Sequence, residues 1–132
     1  TPSDGAGGVA LDANINITFS EAVNTTANAF TLSCTASGTF TFVVSGGPQE
    51  YTLNPDADFL NSETCTVTVV ATEVTDVDTD DPPDTMEADY AFSFDTTAPA
   101  VADTIIVNEI MQNPSAVSDS RGEWFELFNA TT

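Results

Sequence analysis

Apolar side chains recur at every second residue in a series of short runs, and that period leaves the chain few folds to choose from. Ile15, Ile17 and Phe19 alternate with polar residues in 14–20, as do Phe40, Phe42 and Val44 in 39–45. Tyr51 and Leu53 do the same in 49–53, and Tyr90, Phe92 and Phe94 in 90–94. Phe30, Leu32 and Cys34 share one phase of 29–35, while 64–72 is β-branched almost throughout, with Cys65, Val67 and Val69 in phase. A period of two marks half-buried strands. No apolar stripe of period 3.6 reaches helix length, and turn signals such as Ser37-Gly38, Gly46-Gly47-Pro48 and Asn54-Pro55 punctuate the runs. Roughly seven short strands before residue 97 therefore predict an all-β, Greek-key sandwich, each sheet with one face on the core and one in water. The remainder reads as an opening segment with a short edge strand over 1–13 and a connecting loop over 21–28. Residues 56–63, holding Phe59 and Leu60, read as a short helical turn that closes the end of the core.

Charge narrows the partners. Twenty-one acidic groups face the single Arg121, with no Lys and no His, for a net charge of −20 over 132 residues. Such a surface repels phosphate backbones and anionic lipid, so neither nucleic-acid binding nor membrane-surface attachment is expected of this segment. It attracts divalent cations and keeps a protein soluble in high salt, and an acidic marine or halophilic proteome would give the same bulk charge. A hydrophobic share of 41% is that of an ordinary globular domain. No run approaches the roughly 18 apolar residues of a membrane-spanning helix, so no membrane insertion is expected. The chain opens at Thr1 without a signal-like segment and reads as a mature or excised piece.

Cys34 and Cys65 are the only thiols, and both fall on the inward phase of their strands. That placement suits an inter-strand or inter-sheet disulfide, which would mean an oxidising compartment; two buried free thiols are the alternative. Two thiols without a His are too few ligands for a zinc site.

The densest chemistry lies in 75–89, where Asp76, Asp78, Asp80, Asp81, Asp84, Glu87 and Asp89 surround Pro82 and Pro83. With Asp76 as the first position, Asp78, Asp80, Asp84 and Glu87 fall at the third, fifth, ninth and twelfth, the oxygen-ligand spacing of a 12-residue calcium loop. Asp76, Asp78, Asp80, Asp84 and Glu87 are thus candidate calcium ligands. Against an EF-hand, Asp81 occupies the position where Gly makes the sharp turn, and strands rather than helices flank the loop. A solvated acidic loop turned by Pro83 is the simpler reading of the same residues.

Catalysis finds no support. Without His, neither a Ser-His-Asp nor a Cys-His arrangement can form, and no Lys is present to act as a nucleophile. Gly5, Gly7 and Gly8 precede a strand and not a helix, so they make no phosphate loop. Paired carboxylates of a glycosidase require a cleft for which the sequence gives no sign. Trp124 reads as core of a β-fold and less readily as a carbohydrate platform. Arg121 fits a surface pairing with Asp119 or Glu123, and Asn16, Asn24 and Asn129 open glycosylation sequons that matter only in a glycosylating host.

The succession TPSDGAGGVALDANINITFSEAV, YTLNPDADFLNSETCTVTV and VTDVDTDDPPD–YAFSFDT resembles the bacterial Ig-like domain first associated with surface-layer proteins. The resemblance covers residues 1–97 and departs from the family in the cysteine pair and the long acidic loop. Residues 98–103 read as a linker. Over 104–132, NEIMQNPS followed by GEWFELFN resembles the opening of a lamin tail domain, with Asn108, Glu109, Glu126 and Asn129 on that family's pattern; some 30 residues of it cannot bury a core alone. Together the resemblances imply an Ig-like sandwich of about seven strands followed by a partial β-segment. They imply a non-catalytic structural, adhesion or presentation module of a secreted or cell-surface multidomain bacterial protein, whose partners are the neighbouring domains of its own polypeptide. A rival is an accessory domain of an extracellular hydrolase with catalysis downstream, since Asp-Pro-Pro-Asp versions resemble modules of some secreted bacterial nucleases. A third reading is calcium-dependent ligand binding through 76–87.

Overall fold

The computed structural model describes residues 1–78, 80, 84–100, 105–111 and 124–129. The chain divides into two compact units, Thr1–Pro99 and Ala100–Thr132. Among the described residues ten strands build the first: β1 (Ala6–Val9), β2 (Ile15–Thr18), β3 (Val23–Thr25), β4 (Phe30–Cys34), β5 (Gly38–Thr39), β6 (Phe42–Gly46), β7 (Glu50–Pro55), β8 (Thr64–Val69), β9 (Val74–Asp76) and β10 (Tyr90–Thr96). They form a five-stranded sheet in the order β1-β10-β8-β4-β5, a three-stranded sheet in the order β2-β7-β6, and a two-stranded ribbon, β3-β9. This is the expected all-β sandwich.

Register explains the core. Phe30, Leu32 and Cys34 stand opposite Val69, Val67 and Cys65, and β8 in turn sets Val67 and Cys65 opposite Phe92 and Phe94. One face of the larger sheet is therefore a lattice of buried apolar side chains. In the smaller sheet Ile15 meets Leu53 and Ile17 meets Tyr51, all buried. Phe30 and Tyr51 join the sheets, their ring centroids 5.5 Å apart. Phe59 is wedged between Phe40 at 5.1 Å and Phe94 at 5.5 Å, and closes one end of the core. The Tyr51 hydroxyl, taken out of water, donates to the Val23 carbonyl at 2.8 Å.

Several expectations are corrected. The run 39–45 is not one strand. β5 pairs with β4 and β6 pairs with β7, so the chain changes sheets at Phe40–Thr41, and both phenylalanines are only half-buried. On β6, Val43 is 60% exposed and Val44 41%; it is an edge strand that the core does not cover. The loop over 21–28 contains β3, held by pairing to β9. Residues 56–63 contain no helical turn, and Leu60 is exposed although Phe59 is buried. The strand over 64–72 ends at Val69, and Ala71–Glu73 is a short 3-10 turn. Tyr90 is 55% exposed at the open end of its row. Gly46 and Gly47 make the β6–β7 hairpin possible: both have positive φ, and a Cβ on Gly46 would run into the Glu50 carbonyl.

The second unit is a hairpin of β11 (Ile105–Met111) and β12 (Trp124–Asn129). Its register shifts between Val107 and Glu109, leaving Asn108 as an extra residue whose amide donates to the Glu126 carboxylate at 3.1 Å. By strand phase Trp124 and Phe128 lie on one face, Phe125 and Leu127 on the other, and all four are exposed within the described residues. Arg121 with Asp119 and Glu123, the Pro82–Pro83 turn and residues 101–103 of the linker lie outside the described residues.

Candidate functional site

β8 is buried and β-branched, and its continuation turns through Ala71–Glu73 into β9, the first arm of the acidic loop. β9 is fixed on one side by β3, with Val23 opposite Asp76, and by the Asn24 amide donating to the Asp76 carbonyl at 3.2 Å. On the other side the returning chain adds a bridge from Thr75 to Thr85, and the Asp76 amide donates to the Asp84 carbonyl at 3.0 Å. The loop is thus, at its base, a two-stranded ribbon with a third segment bridged to its edge. Its outer carboxylates turn on their own backbone: Asp76 Oδ1 accepts from the Asp78 amide at 3.2 Å, and Asp78 Oδ1 from the Asp80 amide at 3.1 Å. Such Asx turns are a structural use of Asp. Asp89, at the end of the loop, accepts from the Ala71 amide at 2.8 Å and pins the start of β10 to the 3-10 turn.

A cleft of about 350 Å³ opens between this base and the β2–β3 connection. Asp76, Asp84 and Glu87 line it together with Glu21, Phe19 and Met86, whereas Asp78 and Asp80 do not. The structure therefore brings three of the five candidate calcium ligands to one cleft. Their carboxylate oxygens do not cluster tightly: among the described residues the only trio of ligand-type groups within 4.8 Å of one another is Cys34, Glu63 and Cys65. One oxygen of the loop stands apart, because Asp76 Oδ2 is buried and has no hydrogen-bond partner. A buried carboxylate oxygen without a donor is unfavourable unless something electropositive meets it.

The trio elsewhere is no open metal site, since Cys34 and Cys65 are disulfide-bonded across directly paired positions of β4 and β8. The bond is inter-strand within one sheet, the first of the two arrangements their phases allowed. Beside it lies the residue the sequence reading missed. Glu63 is 2% exposed, and its carboxylate accepts four hydrogen bonds. Oε2 takes the amides of Ala36 (3.3 Å) and Ser37 (2.9 Å); Oε1 takes the Ser37 hydroxyl (2.8 Å) and the Leu60 amide (2.7 Å). Burial pushes the Glu63 pKa up, but the donors of Ser37, Leu60 and Ala36 outweigh it and hold the group below its ordinary value of 4.5. Its backbone makes three bonds with Thr96, the other buried polar residue among those described. Ser62, just before it, adopts the left-handed conformation, with φ of 58°. The signal was present in the sequence: Glu63 is two residues before Cys65 and so shares its inward phase.

A model of the bacterial Ig-like domain matches residues 1–96. The chain belongs to the bacterial Ig-like domain family. The match covers the whole sandwich and stops before β11, and the family is a non-catalytic one found in surface and extracellular proteins. No curated protein and no solved structure gives a match to the chain.

Proposed function

We propose that the Ig-like domain is a spacing and presentation module of a secreted or surface-anchored multidomain protein. The observation that carries this reading is how the interior uses its polar chemistry. Both buried polar residues among those described, Glu63 and Thr96, bond to each other and to two loops of their own chain, the Ala36–Ser37 turn and the β7–β8 connection at Leu60, and the cysteines are joined. Residues that a catalytic or ligand site would display are used here to hold loops. The hairpin β11–β12, apolar on both faces and with Asn108 bonded to Glu126, supports reading 104–132 as the opening of a second β-domain of lamin-tail type.

Alkylation without prior reduction tests the module where it is made. Protein recovered from the bacterium that encodes it is expected to take up no alkyl group at Cys34 or Cys65, and antibody raised against the sandwich is expected to label intact cells or the culture medium. Two alkylated thiols in a cytoplasmic fraction would overturn the proposal.

Asp76 Oδ2 favours a second reading, in which the cleft between the acidic loop and the β2–β3 connection admits calcium. A cation bound only by the native state raises stability by RT ln(1 + [L]/Kd), about 2.7 kcal/mol at a hundredfold excess over Kd. The Ig-like domain is then expected to melt several degrees higher in millimolar calcium than in EDTA at matched ionic strength. Magnesium should not reproduce the shift, and Asp76→Asn should abolish it. Equal melts in calcium and EDTA would assign the loop to solvated surface.

A further inference from the structure

The terminal strands of the sandwich run parallel, and this decides how the domain meets tension. β1 pairs with β10 with Ala6 opposite Phe94 and Val9 opposite Thr96. The chain reaches β1 at its Ala6 end and leaves β10 at its Thr96 end. A pull on the two ends of the domain therefore drags β1 and β10 in opposite directions along their common axis, and their cross-bonds are loaded together in shear. Three bonds lengthen the contact beyond the register pairs. The Gly5 amide donates to the Ser93 carbonyl at 2.8 Å, the Ser93 amide to Asp4 Oδ1 at 3.0 Å, and the Thr97 amide to the Val9 carbonyl at 2.9 Å. Behind this pair, β10 is held to β8 by six further register positions. The hairpin that follows has the opposite geometry. Ile105 and Asn129, where the chain enters and leaves it, are register partners, so tension separates its strands one bond at a time.

We infer that β1 and β10 form a shear clamp and that the Ig-like domain is a force-bearing link. It would transmit tension between its attachment and the unit that follows, an inference that rests on the structural-module reading. The disulfide adds a second feature. Its loop, of sequence separation 31, lies wholly between β1 and β10, so it does not strengthen the clamp. It does limit how far the domain extends once the clamp has failed. Of the unit Thr1–Pro99, only the residues outside that loop can be drawn out, a contour length of about 240 Å; reduction would raise it to about 350 Å.

Stretching the whole chain by its two ends in optical tweezers tests this, because rupture under load reports the unfolding rate along the pulling direction. The hairpin is expected to open first at low force. The sandwich should then rupture at several-fold higher force with the shorter length gain. Reduction should give the longer gain at nearly the same force. Asp4→Ala, which removes one bond of the clamp, should lower the rupture force. Thr52→Ala, which removes the Thr52 hydroxyl's bond to Asn16 in the other sheet (2.8 Å), should leave it unchanged. A sandwich that opens at the hairpin's force, or a Thr52→Ala loss equal to that of Asp4→Ala, would overturn the clamp. Either result would leave the structural-module reading standing, since that reading falls only if the cysteines are alkylated without reduction.

Discussion

Replacing Glu63 by Ala is expected to lower the stability of the Ig-like domain by about 3 kcal/mol. The substitution strands the amides of Ala36, Ser37 and Leu60 and the Ser37 hydroxyl, four donors that now converge on one carboxylate. A buried donor left without an acceptor costs about 1–3 kcal/mol, and water admitted at the exposed loop tips recovers part of the sum. Glu63→Gln does not rescue. Whichever way the amide is turned, its NH2 faces a backbone N–H that needs an acceptor: Leu60 on one side, Ala36 and Ser37 on the other. Urea midpoints of the wild type and both variants measure this, and a loss below about 1 kcal/mol for Glu63→Ala would mean the loops do not depend on it.

The same group gives the domain a pH dependence of known sign. Its folded pKa lies below the ordinary 4.5. The stability its carboxylate contributes is therefore complete above that value, and is lost as pH falls from there through the folded pKa. Acid unfolding of the wild type should steepen in that window, and Glu63→Gln, already weaker at neutral pH, should lack this component. Parallel acid limbs for the two proteins would contradict it.

The sequence made the strands legible where one face is dry and the other wet. Ile15–Ile17, Phe30–Leu32–Cys34, Cys65–Val67–Val69 and Phe92–Phe94 all point where their period says, because in a half-buried strand the solvent enforces the alternation. It was illegible where the chain changes layer. Phe40, Phe42 and Val44 keep the period of two across 39–45, yet the strand breaks between two sheets. Alternation records which side of a strand is apolar and not which neighbour the strand pairs with. β3 was hidden for a similar reason, since Val23-Asn24-Thr25 carries only one apolar side chain and becomes a strand by pairing with β9.

Candidate sites show a corresponding limit. The spacing of Asp76, Asp78, Asp80, Asp84 and Glu87 copies a calcium loop along the chain, but convergence in space depends on backbone turns. Here Asp76 and Asp78 spend one oxygen each on the amides of Asp78 and Asp80, while Asp76, Asp84 and Glu87 face the cleft. Glu63 was overlooked because an acid among 21 acids attracts no notice by type. Only its phase, two before a buried cysteine, distinguishes it.

Removing the Cys34–Cys65 bond should have an effect of similar size through the opposite state of the chain. Closing a loop of sequence separation 31 restricts the unfolded ensemble, which in the chain-entropy model corresponds to about 3.7 kcal/mol. The native contacts are not what should be lost: β4 and β8 pair from Phe30–Val69 to Ser33–Thr66 through backbone bonds independent of the sulfurs, and that pairing is expected to persist without them. Cys34→Ala/Cys65→Ala is therefore expected to retain the fold and its β-sheet circular dichroism while its urea midpoint falls. Its m-value should rise, because the unlinked denatured chain exposes more surface. That rise separates the entropic account from a local packing loss, which would lower the midpoint at constant m. Glu63 adds a coupling, since its carboxylate lies within 4.8 Å of both sulfurs and helps fix the Ala36–Ser37 turn that follows Cys34. With that turn released, one end of the cross-link is less ordered in the folded state, and joining the sulfurs no longer constrains the unfolded chain alone. The triple variant should consequently be less destabilised than the sum of its parts by more than about 0.5 kcal/mol. Strict additivity would make the staple and the buried carboxylate independent devices that merely lie side by side.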